Sequence, residues 1–243
     1  MAAGVDRWEL LPRLLADTAR VPDRAAVPVP AEFLPTPTAG PVTALPDPAP
    51  ARIGLEPALR RRIAVRTYAA GPLHLDEVAA LLAAADRTDA DAWPDEVAAG
   101  SGLELFCAAW RVDGLPVGLY RYLPDRHALC RVAELPTGRA AEDLVLQVEF
   151  AAAPVVLTVA GNLAGAVARH GSHGHRQLLV RAGAAAHSAW LAALGLGLAG
   201  SVFAGLLPQV LRDRVAADGY RRAPLLAFAT GRPLPTTPIA GSG

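Results

Sequence analysis

Apolar residues recur at helical spacing near the start of the chain, where Trp8, Leu10, Leu11, Leu14 and Leu15 mark a short amphipathic helix over residues 8–19. Residues 22–50 are then punctuated by proline (Val27-Pro28-Val29-Pro30, Leu34-Pro35, Pro46-Asp47-Pro48) and are expected to be extended and unpacked. Ile53 to Arg62 reads as helical. Leu75 to Ala85 is a clear helix, introduced by His74 with Asp76 and Glu77 in its first turn. The period then shortens to that of strands. Leu103 to Val112 is apolar, Asp113-Gly114 is a turn pair, and Gly118 to Leu123 alternates. Pro124-Asp125-Arg126 makes a second turn before Ala128 to Val132. Ala140 to Ala151 has the pattern of an amphipathic helix, and the β-branched run Pro154 to Ala160 that of a buried central strand. A Gly- and His-rich loop at 161–175 leads to a long helix over about 176–194. Leu207 to Ala217 is helical again, and Ala223 to Thr230 is the last strand, closed by Gly231-Arg232-Pro233.

Helices, an antiparallel meander, helix, strand, helix and strand in this order make an α+β chain with a central, mostly antiparallel sheet flanked by helices. No Gly-x-Gly-x-x-Gly joins a strand to a helix, and there is no P-loop. The domain reading is an N-terminal helix and Pro-rich arm over 1–52, one domain over 53–234, and a flexible tail over 235–243. Ala182 to Leu211 carries no formal charge and is long enough to span a bilayer. Gly195, Gly197, Gly200, Gly205 and Pro208 interrupt it, so a buried helix followed by an extended segment is the better reading, with no membrane partner.

Composition narrows the chemistry. Hydrophobic residues are 52% and charged residues 19% of 243, enough apolar matter for a substantial core. The formal net charge is zero, which removes the footprint of a nucleic-acid binder. Every basic side chain apart from histidine is Arg, so no lysine can act as base, Schiff-base former or phosphate ligand. Cys107 and Cys130 have no zinc-finger spacing, and Cys107 lies in an apolar run that reads as a buried thiol. The first residues lack the apolar stretch of a signal peptide, giving a cytoplasmic expectation. Of the six histidines, His170, His173 and His175 fall in one loop. They read as surface residues, as a metal site with no nearby carboxylate or Cys to complete it, or as the source of a catalytic base. No metal is assigned.

Several segments carry a family resemblance. Arg60-Arg61-Arg62-Ile63-Ala64-Val65-Arg66-Thr67-Tyr68, with Gly71-Pro72-Leu73 and the following helix, resembles the opening of nitroreductase-superfamily chains. Gly118-Leu119-Tyr120-Arg121-Tyr122 and Arg126-His127-Ala128-Leu129 are similar to the hairpin of the SagB/McbC type, which oxidises azolines to azoles in peptide natural products. Leu194-Gly195-Leu196-Gly197 and Thr230-Gly231-Arg232-Pro233 resemble two further family segments, and the ordered set covers about residues 53–234. The resemblance implies a nitroreductase-like dimer with FMN between two subunits. Arg62 and Arg232 would hold the phosphate beside Gly231, Arg66 would face the pyrimidine edge of the isoalloxazine, and Ser101 would be a substitute hydroxyl donor. Forked guanidinium donors suit a dianionic phosphate, and a cation near the ring favours hydride acceptance. The resemblance also implies that the long helix lines the dimer interface with Ala182, Ala184, Ala185, Ala186, Ala189, Ala192 and Ala193, while the arm reaches across. The partners it implies are a peptide bearing azoline rings, an identical or paralogous nitroreductase-like subunit, and a cyclodehydratase.

The chain also departs from the pattern. Ala64 stands where the family has Ser, and Trp93 to Gly102 replaces its Pro-Ser-Ala-Gly segment. The family's Lys-Tyr pair, associated with azoline oxidation, falls on Arg169 and His170. Arg169 cannot deprotonate usefully, whereas His170 can, with His173 next in line. Three readings follow: an FMN-dependent azoline dehydrogenase, a flavin-poor scaffolding subunit beside a competent paralogue, and a generic nitro- or quinone-reducing flavoprotein.

Overall fold

A computed structural model describes residues 28–145, 147–203, 211–212 and 215–234. The helix expected at 8–19, most of the one expected at 207–217 and the 235–243 tail lie outside the described residues.

Seven strands make one sheet: β1 (Val42–Ala44), β2 (Glu104–Ala109), β3 (Gly118–Leu123), β4 (Ala128–Ala133), β5 (Val155–Gly161), β6 (Ala199–Phe203) and β7 (Ala223–Gly231). Their order is β1-β4-β3-β2-β5-β7-β6, and every strand pairing is antiparallel. The β-branched run of β5 lies at the centre, all seven of its residues buried. Alternation along the strands serves two cores. Leu105, Cys107, Leu157 and Val159 face one, and Phe106, Ala108, Val156 and Ala160 the other. The Cys107 thiol is sealed within the first, and burial pushes its pKa up to about 12.

Helices α1 (Leu55–Arg60), α2 (Leu75–Ala92), α3 (Leu163–His170) and α4 (Ser172–Gly195) accompany the sheet. The Glu77 carboxylate accepts the main-chain N–H of His74 at 2.9 Å, closing the first turn of α2. Ala182, Ala185, Ala186, Ala189 and Ala193 of α4 are buried within this chain, where α4 packs on α2 and Thr88 meets Ser188 at 2.7 Å. The alanine-rich surface is therefore mostly core. The outer face of α4 instead carries Leu179, Val180 and His187, with Gly183 open beside them. Although α4 is long and apolar enough to cross a membrane, 56% of that apolar window is buried inside the chain.

Three expectations need correction. The 161–175 stretch is not a loop but α3, a turn at Gly171 and the start of α4. Asn162 caps α3 by accepting the Gly165 N–H at 2.8 Å. Gly174 is dictated by packing, because a Cβ there would lie 2.1 Å from the Ala166 carbonyl oxygen. The helix expected over Ala140 to Ala151 is two 3-10 segments, Gly138–Leu144 and Val148–Ala152. Extended backbone at Val145 and Gln147 separates them, so adjacent Leu144 and Val145 are both buried and Phe150 stacks on Phe203 at 4.1 Å. The Pro-rich arm, extended as expected, is packed in its described part. The Val29 N–H donates to the Ala99 carbonyl, Asn162 and Arg222 donate to the carbonyls of Phe33 and Thr36, and β1 pairs with β4. Residues 29–45 thus belong to the same chain's sheet and core.

Candidate active site

The arginine-rich opening segment runs along the β6 edge. The Val65 N–H donates to the Gly200 carbonyl, the Ala69 N–H to that of Arg232, and the Tyr68 hydroxyl to that of Ala229. These bonds bring Arg62, Arg66 and Arg232 to the β6–β7 end of the sheet, Arg62 and Arg232 against Trp190 and Glu77 on the α2–α4 face and Arg66 toward Glu149, next to Phe150 of the other core. Arg62 is exposed, its guanidinium 5.2 Å above the ring of Trp190, whose buried indole N–H has no acceptor. Arg66 pairs loosely with Glu149 at 3.4 Å, both largely exposed. Arg232 donates through Nε to the Pro72 carbonyl at 3.2 Å and through Nη2 to Glu77 at 2.9 Å. Glu77 is fully buried, and Arg52 approaches its other oxygen at 3.6 Å. Gly231 is buried because a Cβ would lie 2.7 Å from Pro154 and 2.9 Å from Tyr68. Close packing accounts for this glycine.

A second constellation surrounds Glu96. Its carboxylate accepts Nε and Nη2 of Arg169, each at 3.1 Å, and faces His170 Nε2 at 2.8 Å. Burial would raise the Glu96 carboxyl, but the hydrogen bonds from Arg169 and His170 hold it below the ordinary carboxylate value. Arg169 is 1% exposed and locked on Glu96, so it positions that carboxylate and does not reach a substrate. The His170 side chain is 14% exposed. Glu96 engages Nε2, so Nδ1 is the ring nitrogen left for another partner. His173 lies exposed on the first turn of α4. Among the described residues no three His, Cys, Asp or Glu side chains converge as metal ligands. Ser101 is fully buried; its hydroxyl has no partner, and its carbonyl accepts Arg181, which forks onto Asp89 with both bonds at 2.8 Å.

The two groups lie at opposite ends of β5. Val155 pairs with Thr230, two residues before Arg232, whereas Gly161 at the other end leads through Asn162 into α3 and its last residue, His170. Ser101 shares that second end, because Glu104 pairs with Ala160. Seven residues of strand separate them by about 20 Å. The donor chemistry at the arginine edge fits a phosphate: guanidinium forks, an unsatisfied indole N–H, and two arginines against the single buried Glu77. Glu96, Glu77 and Trp190 are not assigned to the site by sequence: Glu77 stands out only as a first-turn acid of α2, and Glu96 carries no signal beyond lying in the Trp93 to Gly102 segment.

The profile of the nitroreductase family matches residues 59–232. A nitroreductase-like protein of Methanocaldococcus jannaschii is 31% identical over 184 residues, 74% of this chain and 91% of its own length. A solved nitroreductase-like structure from Anabaena variabilis superposes with a TM-score of 0.71 at 23% identity; it covers 96% of this chain, which spans only 49% of that one. A chain of the Escherichia coli microcin synthetase McbBCD complex, solved with truncated pro-MccB17 bound, superposes with a TM-score of 0.56 at 19% identity, covering 96% of this chain and 100% of its own.

Proposed function

The chain belongs to the nitroreductase family, whose members are generally oxidoreductases, and from that premise we propose that it is an FMN-dependent dehydrogenase of azoline rings in a peptide. When bound, FMN supplies the hydride acceptor, with molecular oxygen as the terminal oxidant. Arg62 and Arg232 would hold its phosphate, and Arg66 would serve the ring. His170 Nδ1 removes the proton that leaves the azoline together with the hydride, and the ring becomes an aromatic azole. Glu96 orients the imidazole, while the hydrogen bonds from Arg169 help keep Glu96 anionic.

The observation that carries this reading is the His170–Glu96–Arg169 constellation, a base held by a buried carboxylate. It stands at the far end of β5 from the arginine edge. A site using both requires two chains, each giving one end, which favours a homodimer or a pair with a nitroreductase-like paralogue. The fold shared with the McbBCD chain agrees with a peptide substrate and partner enzymes such as a cyclodehydratase. The test incubates FMN-loaded protein with an azoline-containing peptide and follows the loss of two hydrogens per ring by mass spectrometry. His170→Ala should abolish turnover and leave the bound-flavin spectrum intact. Unchanged turnover would move the base elsewhere.

Two observations favour a scaffolding subunit without flavin: Arg232 is already held by Glu77, and Ala64 offers no hydroxyl. The colour of the purified protein separates the two, since oxidised flavin absorbs at about 450 nm.

A further inference from the structure

The 3-10 segment Val148–Ala152, which carries Glu149 toward Arg66, also gives Ala151 to a separate cavity of about 340 Å³. Trp110, Arg111, Thr137, Gly138 and Ala141 complete its lining, which includes none of Arg62, Arg66 or Arg232. Its size lies within the range of small-molecule sites.

Arg111 stands at the end of β2 with its main chain clamped. Its N–H donates to the Pro154 carbonyl, and its carbonyl accepts the Leu73 N–H, each at 3.1 Å. One Nη donates to the Ala152 carbonyl at 2.6 Å, while Nε is buried with no acceptor. Among the described residues no carboxylate pairs with this guanidinium. Burial lowers its pKa, as expected of a cation that has lost water without gaining a counter-charge. An entering anion would supply both the missing acceptor and the missing charge.

The rest of the lining says what kind of anion. Thr137 precedes the segment Gly138–Leu144 without using its side chain as a cap, so its hydroxyl is available. The Trp110 N–H already donates to the Pro136 carbonyl at 2.9 Å, leaving the indole as apolar wall beside Ala141 and Ala151. Gly138, at φ +63°, has open space where a Cβ would stand. One cation, one hydroxyl and apolar walls match one carboxylate on a compact apolar body. A phosphate dianion would find no second cation in the lining, and Glu142 and Asp143 are exposed on the adjoining 3-10 segment. We propose that this cavity, built around Arg111, is a binding site for a small organic carboxylate, distinct from the arginine edge that would hold FMN.

Calorimetric titration of the whole chain with cyclohexanecarboxylate tests the proposal, with cyclohexanecarboxamide as the uncharged match. A ligand of this size should bind with Kd on the order of 0.1–1 mM, and the amide about tenfold or more weaker. Arg111→Met should cost the acid about tenfold. Ala151→Phe, which fills the cavity from another wall and leaves Arg111 intact, should abolish binding even if Arg111→Met fails to fold. Saturating FMN should leave acid binding unchanged, so failure here is separate from failure of the flavin assignment. The proposal is overturned if the acid does not saturate by about 10 mM. Equal binding of the amide, full affinity in either variant, or displacement of the acid by FMN would overturn it as well.

Discussion

Replacing Glu96 with Gln probes the buried constellation beside His170. The carboxylate is 5% exposed and takes two bonds from Arg169 at 3.1 Å and one from His170 at 2.8 Å. Gln keeps the shape but sets an amide NH₂ against a donor, and a buried guanidinium loses its counter-charge. Breaking a buried pair costs about 3–5 kcal/mol. The remaining amide oxygen offsets part, leaving about 2–4 kcal/mol. In a chain of this length each kcal/mol moves Tm by about 2–4 °C, so a fall of about 4–16 °C is expected by calorimetry at neutral pH. The pH dependence adds a second criterion. Because the folded Glu96 carboxyl lies below its unfolded value, its contribution is present above the unfolded value and is lost as pH falls through the folded one. The wild-type and Glu96→Gln curves should therefore converge on acidification. Glu149→Gln, at the exposed pair with Arg66, should stay within about 0.5 kcal/mol. A Glu96→Gln protein as stable as wild type, or one with a parallel pH curve, refutes the buried-pair argument.

Arg62→Ala and Arg232→Ala should each weaken FMN binding about ten- to a hundredfold in a fluorescence titration, and equal retention would misplace the phosphate. Gly174→Ala should lower the denaturant midpoint by the equivalent of about 1–3 kcal/mol, since its methyl has no room beside the Ala166 carbonyl; an unchanged midpoint would deny the close α3–α4 approach. Val180→Arg on the outer face of α4 should leave a folded monomer and release any flavin, whereas Ala185→Arg should unfold the chain. Light scattering that gives a monomer for wild type at micromolar concentration would end the two-chain site.

The strands were legible because their signal is local: β3 begins and ends where alternation in Gly118 to Leu123 does, and β5 differs from its expected limits by one residue at each end. The misread stretches are those where tertiary contacts override composition. Gly165, Gly171 and Gly174 suggested a loop, yet Gly165 makes room for the Asn162 cap and Val29, Gly171 makes a turn, and Gly174 lets α4 approach α3. Short β1 pairs only three residues, too few for a periodic signal amid prolines. The arginines of the candidate site could be named from the family resemblance, but their partners could not. Glu96 meets His170 across 74 positions, and Glu77 meets Arg232 across 155. Which acid neutralises which base is decided by the fold.

The Glu77–Arg232 contact bears on the order of assembly. Glu77 closes the first turn of α2 and at the same time supplies an internal anion to an arginine proposed to receive one from outside. A chain built this way needs no ligand to complete its folding, because the half-buried Arg232 already has Glu77 as its counter-ion. If the proposed phosphate site is used, loading would be an exchange in which the phosphate displaces a resident carboxylate, and the released Glu77 would keep Arg52 and the His74 N–H as company.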